Sequence, residues 1–258
     1  ITMLKIDINS DLGESFGDYV LGCDQEIVKY VSSANLACGW HAGDPMVMEK
    51  SVKMCKDAGV AIGAHPGYYD VMGFGRRYMK ISPAEAKAYV KYQLGALMAF
   101  TQAQGLKIQH LKSHGALGNA ALKDEALAEA ICTAVKEVDP EIIIMSLANC
   151  CVVKVAESMG LRFANEVFAD RAYNDDYTLV ARGKPGAVIH DADFAVKRVI
   201  RMVKEKKVTT IDGKDIDIDC HTICVHGDTP EAVEIVRGMR AAIEAEGIQI
   251  ANLSEIIV

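Results

Sequence analysis

Aspartate, histidine and lysine close several short apolar runs of this 258-residue sequence. In Leu4–Leu12, Ile6, Ile8 and Leu12 alternate with Asp7, Asn9 and Asp11. Alternate residues of a strand share a face, so the polar set lies together, turned away from the covering helices. The same parity groups Ala37, Gly39 and His41; Gly63 and His65; His110, Lys112 and His114; and Cys224, His226 and Asp228. Glu166 and Asp170 join them if the sixth run extends that far. Buried carboxylates need partners or an altered protonation state. Set beside imidazoles and a lysine, they supply a general base, a general acid and an oxyanion donor, the parts of a hydrolytic site. Asp11, His41, His65, Lys112 and His114 are the candidate catalytic residues. Asn9, Asp44, Glu166, Asp170, His226 and Asp228 are candidates for binding the substrate, as is Arg76 in the flexible loop Gly73-Phe74-Gly75-Arg76-Arg77.

Some of these residues also have plainer readings. Asp44 before Pro45 is a natural helix N-cap, and Asp228 before Thr229-Pro230 is another. His65 before Pro66-Gly67 is compatible with a turn. Lys112, flanked by two histidines on its own face, would be a poor choice for packing alone. A zinc pair from His110 and His114 is excluded on a strand, where four residues separate the rings by roughly 13 Å. A metal held by Asp11, His41 and His65 across strands is a second option, but the sequence does not require one, and no metal ligands are assigned.

The elements that carry these residues follow from periodicity. Seven apolar runs, Leu4–Leu12, Ser33–Trp40, Val60–His65, Ile108–His114, Glu141–Leu147, Arg162–Phe168 and Thr222–His226, alternate with segments of helical period. Asp44-Pro45 opens one helix, whose stripe is Met48, Val52 and Cys55 and whose stop is Gly59. Ser82-Pro83-Ala84-Glu85 is a capping box opening a longer one that ends near Gly105. Further helical faces follow at Leu127, Ile131 and Val135, at Val196, Ile200 and Val203, and at Ile235, Met239 and Ile243; the fifth connection, Asn149–Met159, is short. The expectation is an α/β fold with a parallel sheet or barrel, in one domain spanning residues 1–258. In such folds the C-terminal strand ends meet at one mouth, where active sites are built.

Composition narrows the function. The net charge of −7 and the lack of a basic block argue against nucleic acid or an anionic membrane as partner. No apolar run reaches the roughly 18 residues of a membrane span. Eight cysteines without a C-x-x-C pair suggest reduced, buried thiols and a cytoplasmic protein. Neither G-x-x-x-x-G-K-[ST] nor a strand-borne G-x-G-x-x-G is present, so any nucleoside triphosphate needs an unusual site or a partner subunit.

Taken together, Asp7-Ile8-Asn9-Ser10-Asp11-Leu12-Gly13-Glu14, Asn35 to Pro45, Gly63-Ala64-His65-Pro66-Gly67-Tyr68, Lys112 to Leu117, Glu166 to Arg171 and Cys224 to Pro230 closely resemble the LamB/YcsF family, the A subunits of 5-oxoprolinases. The resemblance runs from about Leu4 to Ile250. Trp40, Ser113, Gly118 and Tyr177 depart from the family pattern, Tyr177 standing where Gly is expected. It implies a seven-stranded β/α barrel of the glycoside hydrolase/deacetylase kind. It also implies ATP-dependent opening of the 5-oxoproline lactam to L-glutamate together with subunits B and C. Arg171, with Arg76, would then grip the substrate carboxylate. Two other functions compete with this one: a stand-alone metal-dependent deacetylase or sugar hydrolase, and a non-catalytic subunit that captures a small acid.

Overall fold

The structure is a computed structural model that describes residues 3–181, 183–225 and 230–257. His226 and Asp228 lie outside the described residues.

Seven parallel strands close into a barrel: β1 (Lys5–Leu12), β2 (Ser33–Ala37), β3 (Ala61–His65), β4 (Ile108–Lys112), β5 (Ile143–Leu147), β6 (Phe163–Phe168) and, after the hairpin β7 (Lys207–Thr209) and β8 (Asp215–Asp217), β9 (Thr222–Cys224). Closure comes from β1, which pairs with β2 on one side and β9 on the other. A two-residue strand, β10 (Gln249–Ile250), also runs beside the start of β1. The seven expected runs are the seven barrel strands. Their alternation holds as well: Ile6, Ile8 and Leu12 enter the core between strands and helices, while Asp7 and Asn9 are fully buried on the opposite, inner face. Each fully buried Ile or Leu contributes about 1.5–3 kcal/mol.

Helix starts follow local chemistry. In α2 (Pro45–Ala58) Asp44 accepts from the Met46 and Val47 amides, Pro45 fills the first turn, and Gly59 closes the helix at φ +70. In α3 (Pro83–Ala103) Ser82 and Glu85 form the reciprocal capping box. In α5 (Glu125–Val138) and α7 (Ala192–Glu205) the caps are Asp124 and Asp191. The fifth connection is a real helix, α6 (Cys151–Ser158), and α8 (Pro230–Ala245) is the last. The short α1 (Asp24–Ile27), α4 (Gly115–Ala121) and the β7–β8 hairpin were not foreseen, because none has a long periodic pattern. No described helix is long and apolar enough to cross a membrane.

Register sets the interior row by row. Asp11 pairs with Asn35, Asn35 with Gly63, and Gly63 with His110, so one level of the barrel carries all four. Gly63 is required there, since a Cβ would lie 2.0 Å from the His110 ring. On the β5–β6 side, Ile143, Met145 and Ala164 form a separate apolar cluster with Leu253. All eight cysteines are free thiols, four of them buried and four partly exposed.

Candidate active site

At the C-terminal strand ends a cavity of about 660 Å³ is lined by Asp11, His65, Lys112, His114, Glu166, Arg76 and Arg171. Lys112 sits at its floor. Its Nζ lies 3.0 Å from Asp11 Oδ1, 2.7 Å from Glu166 Oε1 and 3.3 Å from Cys224 Sγ. Burial pushes the Lys112 pKa down, but Asp11 and its other neighbours outweigh that and hold it well above the usual lysine value. Burial likewise pushes Asp11 up, and His65 and Lys112 overcome it, leaving the carboxyl well below its ordinary range. The pair is ionised at neutral pH, an ammonium between two carboxylates.

Beneath it a hydrogen-bond chain runs the length of the barrel. Asn35 Nδ2 donates to Asp11 Oδ1 and to Asn9 Oδ1, each at 2.8 Å. His110 Nε2 lies 2.6 Å from Asn35 Oδ1 and fixes the orientation of that amide. Asn9 Nδ2 donates to Thr222 Oγ1 at 2.7 Å, and Thr222 donates to Asp7 Oδ2. Burial holds His110 down at about 3, so it is a neutral donor inside the barrel.

Three histidines and a carboxylate gather beside Asp11. The rings of His41 and His114 stack at 3.6 Å, and His65 meets both edge-on. His65 Nδ1 lies 2.7 Å from the Lys112 carbonyl and carries a proton to it, so Nε2 is the ring nitrogen that faces His114 Nδ1 at 3.0 Å and Asp11 Oδ2 at 3.3 Å. His114 Nε2 donates to the Phe74 carbonyl at 2.8 Å, which leaves Nδ1 as its own lone pair. Glu14 Oε1 stands 3.1 Å from His41 Nε2 and 3.6 Å from His114 Nδ1. Burial, with His65 nearby, lowers His114 to about 3, and burial with His114 lowers His41 well below its ordinary value. Glu14, His41, His65 and His114 each offer one ligand atom, all within 4.8 Å of one another. The sequence expectation of a site without metal ligands therefore meets a set that has the composition of a metal centre.

Gly75 makes the stack possible. Its φ is +63, and a Cβ there would lie 2.7 Å from His41 Cβ and 2.8 Å from His114 Cδ2. The same loop splits its two arginines: Arg76 lines the cavity over the Phe74 ring, whereas Arg77 is paired with Asp70.

The structure thus gathers Asn9, Asp11, His41, His65, Lys112, His114 and Glu166, with Arg76 and Arg171 on the cavity wall. Arg171 already donates to the Val180 carbonyl at 2.6 Å. Two expected substrate ligands fall elsewhere. The oxygens of Asp44 are taken by the Met46, Val47 and Gly17 amides, which is the capping reading. Asp170 lines a separate small cavity with Ala195 and Met239, because the chain turns away after β6. Sequence reasoning assigned no role to Glu14 or Asn35, and none to Cys224 although parity grouped it with His226. Parity would also have reached Asn35, but Glu14 lies beyond a turn at Gly13, φ +72, where strand alternation no longer applies.

The LamB/YcsF family profile matches residues 6–258. The sequence is 58% identical over 255 residues to a protein of Alkaliphilus metalliredigens (strain QYMF) named as the A subunit of 5-oxoprolinase, covering 99% of this chain and 100% of that one. The fold superposes on the lactam utilization protein from Thermus thermophilus with a TM-score of 0.92 at 44% identity, covering 96% of this chain and 99% of the other. A family 4 carbohydrate esterase from Streptomyces lividans matches at a TM-score of 0.52 and 10% identity, covering 95% and 91%, a likeness of fold alone.

Proposed function

This chain belongs to the LamB/YcsF family, and from that premise we propose that it is a 5-oxoprolinase A subunit, opening the lactam of 5-oxoproline to L-glutamate at the barrel mouth. The observation that carries the reading is the buried Lys112 ammonium held between Asp11 and Glu166 at the cavity floor. It is a fixed positive charge placed where a carbonyl oxygen would become negative.

A five-membered lactam resists hydrolysis. ATP, when bound, would supply a phosphoryl group to the carbonyl oxygen that activates its carbon, so that one water opens the ring with loss of the nitrogen and a second releases phosphate, and we assign ATP to the complex with subunits B and C. Cationic groups around the cavity, Arg76, Arg171 and Lys184 among them, fit a ligand bearing a carboxylate or phosphate. In this reading Arg76 and Arg171 hold the substrate carboxylate. Asp11, assisted by His65 at 3.3 Å or by His41, acts as general base on the attacking water. Lys112 steadies the oxyanion and is the better proton donor to the departing nitrogen, since the one ring proton of His114 is held by the Phe74 carbonyl. Residues 1–258 act as one barrel unit. An ATP-coupled reaction and free thiols both fit the cytoplasm.

The test is ATP-dependent glutamate release from 5-oxoproline, with and without subunits B and C. Release is expected only with them. Glutamate made by this chain alone contradicts the division of labour, and no glutamate from the full set contradicts the substrate.

A further inference from the structure

We propose that Glu14, His65 and His114, with His41 as a fourth ligand, bind one divalent transition-metal ion at the edge of the cavity, next to Asp11.

The argument starts from proton bookkeeping. Two backbone carbonyls, those of Lys112 and Phe74, take the N–H of His65 and His114, and each bond turns the other ring nitrogen of its histidine inward as a lone pair. Those two lone pairs face each other at 3.0 Å, with the Glu14 carboxylate 3.6 Å from one of them and Asp11 3.3 Å from the other. A convergence of this kind is the arrangement in which protein ligands surround a cation. The carbonyls play the part of outer partners that fix the tautomer of a metal-bound imidazole, so the supports of a metal site are present as well as its ligands. The spacing agrees. Ligands at about 2.0–2.1 Å from a tetrahedral ion stand roughly 3.3 Å apart. Three of the six pairs stand at 3.0–3.6 Å, among them His41 Nε2 to Glu14 Oε1 at 3.1 Å, and all six lie within 4.8 Å.

His41 is the fourth and weaker member: its Nε2 faces the group, but its Nδ1 is buried without the outer partner that fixes the tautomer of the other two. Three nitrogens and one carboxylate oxygen suit Zn²⁺, Co²⁺, Fe²⁺ or Mn²⁺ and are a poor set for Mg²⁺ or Ca²⁺, which prefer oxygen ligands. The strands explain the convergence: His65 ends β3, His114 follows β4, His41 follows β2 and Glu14 follows β1, so neighbouring strands of the barrel each deliver one ligand. The proposal stands whatever the substrate, because no ligand beyond the ion enters it.

The full-length protein, stripped with a chelator and then dialysed, is titrated with Zn²⁺ and separately with Co²⁺, without 5-oxoproline, ATP or partner subunits. We expect one equivalent of Zn²⁺ bound per chain, a higher Tm on binding, and visible Co²⁺ absorption characteristic of a four- or five-coordinate nitrogen and oxygen site. Glu14→Gln should weaken binding at least tenfold and His114→Gln at least a hundredfold, each altering the Co²⁺ spectrum while keeping the wild-type circular dichroism. The wild-type titration decides even if a variant fails to fold. Absence of stoichiometric Zn²⁺ binding, or an octahedral aquo-like Co²⁺ spectrum, overturns the proposal, as does wild-type affinity in both folded variants. Loss of glutamate release alone bears on the lactam reading and leaves the metal site standing.

Discussion

Asp7 and Asp11 stand four residues apart on the same face of β1, and their surroundings are opposite. At the closed end of the barrel Asp7 is wrapped by three hydroxyls, Ser32 and Ser33 on one oxygen and Thr222 on the other. Burial outweighs those bonds and raises its pKa from 3.8 to about 6. At the open mouth Asp11 meets a lysine and an imidazole beside a cavity and is held well below its ordinary range. Two residues of one strand thus have different work: neutral donors anchor a carboxylate, whereas fixed charges next to open space prepare one for a ligand. The chain Asp7–Thr222–Asn9–Asn35–Asp11 ties the two together, so the closed end holds the orientation of the mouth.

The contrast breaks most sharply at Lys112. In Lys112→Met two carboxylates face each other without their cation, and glutamate release by the complete enzyme should fall by about 10²–10³-fold, the cost of losing an oxyanion donor. Steady-state kinetics check this, and a loss carried by kcat rather than KM sharpens it.

At the other end the expected effect is on stability. The folded-state pKa of Asp7 is raised, so its contribution is fully present below about pH 3.8 and is lost as pH rises through about 6. A shift of this size corresponds to about 3 kcal/mol. Denaturant unfolding between pH 4 and pH 7 should show that slope in the wild type and a flatter one in Asp7→Asn. An unchanged slope would remove Asp7 from the account.

Gly75→Ala probes the packing that joins the two histidines. The left-handed backbone costs about 1–2 kcal/mol, and the new Cβ would press on both rings. Thermal unfolding should show the loss, with a fall in activity because the stack must open. The smallest effect is expected at Asp44→Ala, about 1 kcal/mol of cap energy, with glutamate release within a few fold of wild type. A large activity loss there would restore Asp44 as a substrate ligand.

Much of this was legible in the sequence because strand alternation and helix caps are local rules. Ile6 and Ile8 against Asp7, Asn9 and Asp11 showed which face is inner, and Asp44 and Ser82 marked two helix starts that the structure has. Where the backbone leaves the strand the rule lapses. Glu14 follows the Gly13 turn, and His41 and His114 sit past their strand ends, where they stack beside Gly75 and meet Glu14. The parity of Asp170 held only if β6 reached it; the strand ends at Phe168, and Asp170 lines a second cavity that shares Cys224. Tyr177, where the family pattern expects glycine, holds φ +68, so the backbone geometry is kept although the residue is not. The hairpin of β7 and β8 is set by pairing between distant residues that no short window reveals.

The most direct test of the claim that charge at the mouth does the chemistry is Asp11→Asn in the complete enzyme, measured as ATP-dependent glutamate release from 5-oxoproline. The account predicts a fall of at least about a hundredfold in a chain that remains folded at pH 7. Release within a few fold of wild type would contradict it.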